Sequence, residues 1–253
     1  MNILLTNDDG YSAPGINLLK EKLVMDHNVY ICAPMRQMSA SSHAITLFKP
    51  MEMLKLNDCI YAVDGTPADC VKIALFHFFR EIKFNAVISG INDGPNMGDD
   101  ILYSGTVAGA REGSLNNIFS IAASMDGWSI NKNFDIPALF ISEFLERLEK
   151  SFIKSNLMLN INFPDSCEPK GIKVTHLGKR IYKDRVISEK KEGKLLLTIT
   201  GDEPGFYHDD GSDMNSVSDG YISITPLANE ITDPVLKKRL GYLEKLSWKT
   251  LKQ

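Results

Sequence analysis

Apolar and polar positions follow two alternating rhythms through the first two thirds of the chain. Short, nearly unbroken apolar runs at 2–6, 29–33, 86–89, 118–124 and 157–163 read as strands buried on both faces. Between them the apolar positions recur at helical spacing. Ile16, Leu18, Leu19 and Leu23 predict a helix over 15–25. Val71, Ile73, Ala74, Leu75, Phe78 and Phe79 predict another over 67–79. Ser104-Gly105-Thr106 opens a third, packed closely through Ala108, Gly109 and Ala110, and a long amphipathic helix is predicted over 134–153. Residues 44–64 break at Pro50 and Asn57-Asp58 and predict a small hairpin. Strands alternating with helices predict an α/β fold with a parallel, doubly wound sheet and right-handed crossovers.

Past Pro164 the rhythm changes. Residues 171–200 read as β-hairpins without a long helix, 220–226 as one more strand, and the tail from Asp233 as a helix started by Pro234, with Leu236, Leu240, Leu243 and Leu246 in step. The expected organisation is a core of 1–165 with 220–232, a β-hairpin extension over 166–219, and a C-terminal helix over 233–253. Charge sharpens this division. Residues 170–194 hold nine Lys or Arg against three Asp or Glu, whereas 202–219 hold six acidic residues and no Lys or Arg. A basic ribbon followed by an acidic stretch of similar size predicts pairing across a subunit interface ahead of RNA binding. The net charge of −4 also disfavours a generic nucleic-acid partner.

Composition adds little more. Apolar residues make up 43% of the chain and charged residues 24%, as in a globular protein with a full core. The four cysteines, Cys32, Cys59, Cys70 and Cys167, have no CxxC spacing; three sit in apolar or helical contexts and are expected as reduced, buried thiols. No secretory leader and no run of membrane-spanning length is visible, so a cytoplasmic protein without a membrane partner is expected.

Candidate chemistry gathers where apolar runs end. The first strand stops in Asn7-Asp8-Asp9-Gly10. Two adjacent carboxylates at the carboxyl end of a strand favour a cation between them, and Gly10 permits the turn that would aim both at one ion. A capping or turn role for the same residues stays open at this level. The polar loop 35–42 after the second strand offers Ser39, Ser41 and Ser42, with Ser12 upstream, and the pattern does not choose among these hydroxyls. Arg36 could hold a phosphate or simply be a solvated charge. Asn92 follows the third parallel strand, with Asn96 four residues on, in a glycine-rich loop too long to be a mere connector. Oxygen donors at three strand ends, with no His–Cys cluster, select a hard cation over zinc. Ser104-Gly105-Thr106 at a helix start supplies free amides, two hydroxyls and a close backbone approach, which suits a phosphate. Gly65-Thr66-Pro67-Ala68-Asp69 has the pattern of a capped helix start. No Walker loop, nucleophile elbow or DxDxT start is present.

Taken together, Met1 to Gly10 with Gly15, the Ser39 loop running into His43-Ala44-Ile45-Thr46-Leu47, Gly65 to Val71, Ser89 through Val107, and Ile222 to Leu227 resemble the survival protein E (SurE) family. The resemblance covers nearly the whole chain, and 90–107 is its most specific block. It implies a divalent-metal-dependent acid phosphatase acting on nucleoside 5′- and 3′-monophosphates, in some members also on short polyphosphate. It also implies a Rossmann-like three-layer domain with a swapped extension, assembled as homodimer or homotetramer. By position it implies one Mg²⁺ or Mn²⁺ held by Asp8, Asp9, Ser39 and Asn92, with phosphate-side roles for Asn96, Ser104, Gly105 and Thr106. Asp8, Asp9, Asn96, Ser104 and Thr106 are the expected catalytic set. Met38 and Ala40 stand where the family often has an arginine and a glycine. A phosphate-binding module without catalysis is the rival reading.

Overall fold

The computed structural model describes residues 1–127, 132–153, 155–166, 168–202 and 204–245. Cys167 and Leu246 lie outside these. In chain order the strands are β1 (Asn2–Thr6), β2 (Asn28–Pro34), β3 (Met53–Asn57), β4 (Ile60–Val63), β5 (Ala86–Asp93), β6 (Phe119–Met125), β7 (Met158–Phe163), β8 (Ile172–Val174), β9 (Arg180–Ile181), β10 (Asp184–Lys191), β11 (Lys194–Gly201), β12 (Gly205–Phe206) and β13 (Ile222–Leu227). The α-helices are α1 (Pro14–Leu23), α2 (Pro67–Ile73), α3 (Gly105–Leu115), α4 (Asp135–Arg147), α5 (Lys150–Ile153), α6 (Asp213–Ser218) and α7 (Pro234–Leu240).

A nine-stranded sheet in the order β3-β4-β2-β1-β5-β6-β7-β13-β8 forms the central layer. Its middle is parallel, as alternation of strands and helices requires; β3 and β13 run antiparallel to β4 and β7. Side chains alternate across the pleat, so Ile3 and Leu5 enter one core with Ile16, Leu19, Ala138 and Ile141 of α1 and α4. Leu4 and Val87 enter the opposite core with Cys70, Val71 and Ala74 around α2. Helix α3 packs on the second face through Val107 and Ala110. The chain winds from β1 to β2 on one side and returns to β5 on the other. The carboxyl ends of β1, β2 and β5 therefore meet at a switch in strand order, where α/β sheets leave a crevice.

Several elements depart from the sequence reading. The helix predicted over 134–153 ends at Arg147, because Leu148 takes extended backbone angles (φ −68°, ψ 137°), and a separate turn forms at Lys150–Ile153. The helix predicted over 67–79 is α-helical to Ile73 and then widens into a π turn over Ala74–Phe78. Strand β5 runs past Ser89 to Asp93, with a register shift against β6 between Ser89 and Asn92. Cys32 and Cys70 are buried, but Cys59 sits exposed in the turn between β3 and β4. Helix α6 was not anticipated; its six residues are too few to show a period. Among the described residues of the tail, the α-helix spans Pro234–Leu240 and buries none of its residues. No described helix is long and apolar enough to cross a membrane.

Candidate functional site

The turn after β1 is closed by Asn7. Its Nδ2 donates to the Gly10 carbonyl at 2.8 Å, and its Oδ1 accepts from the Gly10 amide at 3.2 Å. Gly10 holds φ +101°, which strains any residue with a β-carbon. This reversal brings both Asp8 and Asp9 to the wall of one cavity of about 260 Å³. Ser39 from the loop after β2, Asn92 and Asn96 from the end of β5 and the loop beyond it, and Ser104 at the start of α3 line the same cavity. Gly105 and Thr106 stand directly behind Asp8.

Asp8 is almost fully buried, at 5% exposure. Its carboxylate accepts from the Thr106 hydroxyl. Burial pushes its carboxyl up to about 6, the Thr106 hydrogen bond pulls the other way, and the Asp9 charge adds to the rise. Asp9 is also raised by burial, against a hydrogen bond from the Asp93 amide at 3.0 Å. Lys132, the cation that acts on Asp9 among the described residues, gives its own short ion pair to Asp93. The corner therefore concentrates negative charge that a hard cation would relieve. Asn92 is set to contribute oxygen: its Nδ2 is already given to the Gly94 carbonyl at 2.7 Å, which leaves Oδ1 free. Two carboxylates, an amide oxygen and the Ser39 hydroxyl fit Mg²⁺ or Mn²⁺. Among the described residues, no three His, Cys, Asp or Glu groups are placed to hold a metal ion by themselves.

The helix start beside this corner is built as the sequence predicted. Ser104 caps α3 by accepting from the Val107 amide at 3.0 Å, which leaves its hydroxyl proton free to point outward. The Thr106 hydroxyl, expected on the phosphate side, donates to Asp8. Asn96 is held by β6 and β7: its Nδ2 donates to Ser124 Oγ at 2.7 Å, and its carbonyl accepts from Asn160 and Asn162 at 2.8 and 2.9 Å.

The Ser39 loop is strapped down at several points. Met38 donates to the Asp8 carbonyl at 2.7 Å, Ser42 to Tyr103 at 2.9 Å, and Thr46 to the Asp69 carboxylate at 2.8 Å. His43 Nε2 donates to Glu112 at 3.0 Å, and Lys72 Nζ approaches the same carboxylate at 2.7 Å. Burial alone would raise the Glu112 carboxyl; the hydrogen bonds from His43 and Lys72 outweigh it and hold the group below its usual range. A carboxyl held low contributes stability that is complete above its unfolded value and lost as pH falls through its folded value. Glu112→Gln is therefore expected to cost roughly 1–3 kcal/mol at pH 7 in urea titrations. The gap from wild type should close below about pH 4. A constant gap across that range would refute the ion-pair account.

Sequence reasoning did not single out every residue at this cavity. Asp100, Tyr103 and Tyr182 also line it, and Arg180 Nε donates to Asp100 at 2.7 Å. Tyr182 and Arg180 come from a stretch that shows only basic charge, so nothing local in the sequence marks them.

The family model described as "Survival protein SurE" matches residues 3–184. A protein of Aquifex aeolicus named 5′-nucleotidase SurE is 42% identical over 245 residues, covering 95% of this chain and 97% of that protein. One of Clostridium botulinum with the same name is 43% identical over 242 residues, covering 92% and 95%. The crystal structure of the SurE protein from Aquifex aeolicus superposes with a TM-score of 0.83 at 41% identity, covering 96% of this chain and all of that one. Motifs, whole-chain identity and shared architecture agree, and this chain belongs to the SurE family.

Proposed function

We propose that this chain is a divalent-metal-dependent phosphomonoesterase that hydrolyses nucleoside 5′- and 3′-monophosphates, and short polyphosphate, to release phosphate. The observation that carries this reading is the meeting of the Asp8–Asp9 pair with Ser104, the N-cap of α3, in one cavity, with Gly105 packed against Asp8. The relatives named 5′-nucleotidase SurE support the nucleotide as substrate. Asp8, Asp9, Asn92 and Ser39 would hold one Mg²⁺ or Mn²⁺. When bound there, such a cation withdraws charge from the phosphoryl group and makes water a competent nucleophile near neutral pH. The chain's own groups do the rest. The Ser104 hydroxyl and the free amide of Gly105 donate to phosphoryl oxygens, where charge builds as the leaving oxygen departs. Thr106 fixes the rotamer of Asp8 through its hydroxyl. Asn96, immobilised by β6 and β7, borders the phosphate side of the cavity.

We assign oligomerisation to the extension at 166–219. The β10–β11 ribbon projects with Val186, Leu195, Leu197 and Ile199 between 59% and 81% exposed, an apolar surface suited to a second copy in a homodimer or homotetramer.

Phosphate release from AMP in Mg²⁺ or Mn²⁺, before and after EDTA, tests the catalytic reading. A loss of roughly 100-fold or more, reversed by added metal, is expected. Tight AMP binding without release would make the chain a binding module, and EDTA-resistant hydrolysis would remove the metal from the scheme.

A further inference from the structure

The cavity offers more than metal and phosphate ligands. Its lining combines the polar groups of Asp8, Asp9, Asn92 and Ser104 with the rings of Tyr103 and Tyr182, the latter tied to Asp100. Tyr103 remains 62% exposed and Tyr182 46%. We propose that these two rings form the seat of the nucleobase, with Tyr182 as the specificity-determining residue. This deepens the phosphomonoesterase reading and rests on it.

A surface tyrosine usually moves freely, and ordering its ring costs affinity. Tyr182 is already ordered. Its hydroxyl donates to Asp100 Oδ1, and Arg180 Nε holds Asp100 Oδ2 from the other side at 2.7 Å. The side chains of Arg180 and Asp100 are only 11% and 21% exposed, so the tether is anchored in the body of the protein. Its base is fixed as well, because the Gly98 amide, at the start of the turn carrying Asp100, donates to the buried Asp213 at 2.8 Å. The ring is thus pinned at its polar tip while nearly half of its surface faces solvent at the cavity.

Tyr103 supplies the spacing. It immediately precedes Ser104, whose hydroxyl borders the acidic end, so an aromatic plane stands one residue from the phosphate seat. A nucleoside monophosphate has the same distribution: a dianionic end and a flat, weakly polar base joined by a ribose. Every base offers a stacking face, so a tyrosine seat predicts broad base tolerance.

The test compares AMP with ribose 5-phosphate, which carries the same phosphate and sugar without a base. In Tyr182→Ala, kcat/KM on AMP is expected to fall about tenfold more than on ribose 5-phosphate, mainly through KM, the scale of one base–aromatic stack. Tyr182→Phe keeps the ring but loses the tether to Asp100, so its preference for AMP should fall between those of wild type and Tyr182→Ala. An equal change on both substrates, or no change on AMP, overturns the proposal. If the wild-type protein turns over neither compound, the phosphomonoesterase reading fails by itself. Calorimetric Kd values for the same two ligands then decide the seat by the same ratio.

Discussion

Asp8→Asn should remove nearly all phosphatase activity, a loss on the order of 10³-fold, while making the metal-free protein more stable at neutral pH. The two effects share one cause. Asp8 is buried at 5% exposure beside Asp9, and its carboxyl is pushed from 3.8 up to about 6. A group whose folded value lies above its unfolded value is unfavourable to folding once ionised. The penalty is absent below 3.8, grows as pH rises between 3.8 and about 6, and is complete above that. Two units correspond to about 3 kcal/mol at most, so asparagine, which can still accept from Thr106, should gain roughly 1–3 kcal/mol at pH 7.5 in EDTA. The gain should shrink toward pH 4. Melting curves in EDTA at both pH values, with AMP turnover in Mn²⁺ alongside, measure the two effects. Added Mn²⁺ should raise the melting temperature of wild type and leave the variant nearly unmoved. Near-wild-type turnover would remove Asp8 from the mechanism. Loss of activity with lower apo stability would mean that the carboxylate serves the fold.

What the sequence disclosed and what it hid divide along contact range. The Asn7–Gly10 turn, the Thr66–Asp69 capping box and the Ser104 cap each involve residues three positions apart, so their chemistry is legible in a short window. The meeting of Asp8, Asn92 and the serine loop after β2 follows from strand order, because parallel strands with alternating helices must bring their carboxyl ends together; which serine of that loop matters is implied only by the family resemblance. Nothing local in the sequence shows that the Thr106 hydroxyl meets Asp8, 98 residues away. Tyr182 and Arg180 reach Asp100 from 82 and 80 residues away, equally hidden from a short window. Asp213 belongs to this class too: it accepts from Gly98 and Gly178, yet in the sequence it is one more residue of an acidic stretch. The broken helix after Arg147 is a different failure, since its apolar spacing continues while the backbone at Leu148 does not.

Gly105→Ala should cost about 100-fold or more in turnover with the fold kept. A β-carbon at Gly105 would lie 2.6 Å from Ser41 Oγ, 3.0 Å from Asp8 Cβ and 3.0 Å from Asp8 Oδ2. These neighbours differ in how they can yield. Ser41 is a short side chain on a loop, and its hydroxyl is buried without a hydrogen-bond partner, so rotating it breaks nothing. Asp8 cannot yield without giving up the Thr106 hydroxyl, the contact that sets its rotamer. The methyl group is therefore expected to turn the Asp8 carboxylate away from Asp9 and Asn92 and to crowd the amide proposed for the phosphoryl group. Stability should change little. Alanine gains up to about 1 kcal/mol in a helix, and local overpacking costs roughly 1–3 kcal/mol. The double variant Ser41→Ala/Gly105→Ala separates the two clashes. If Asp8 is the group displaced, removing the Ser41 hydroxyl leaves activity low, and calorimetry shows weakened Mn²⁺ binding in both variants. If the double variant recovers turnover, the harm came through the Ser39–Ser41 loop. Wild-type turnover in Gly105→Ala itself would show that close approach at this helix start is not what the chemistry requires.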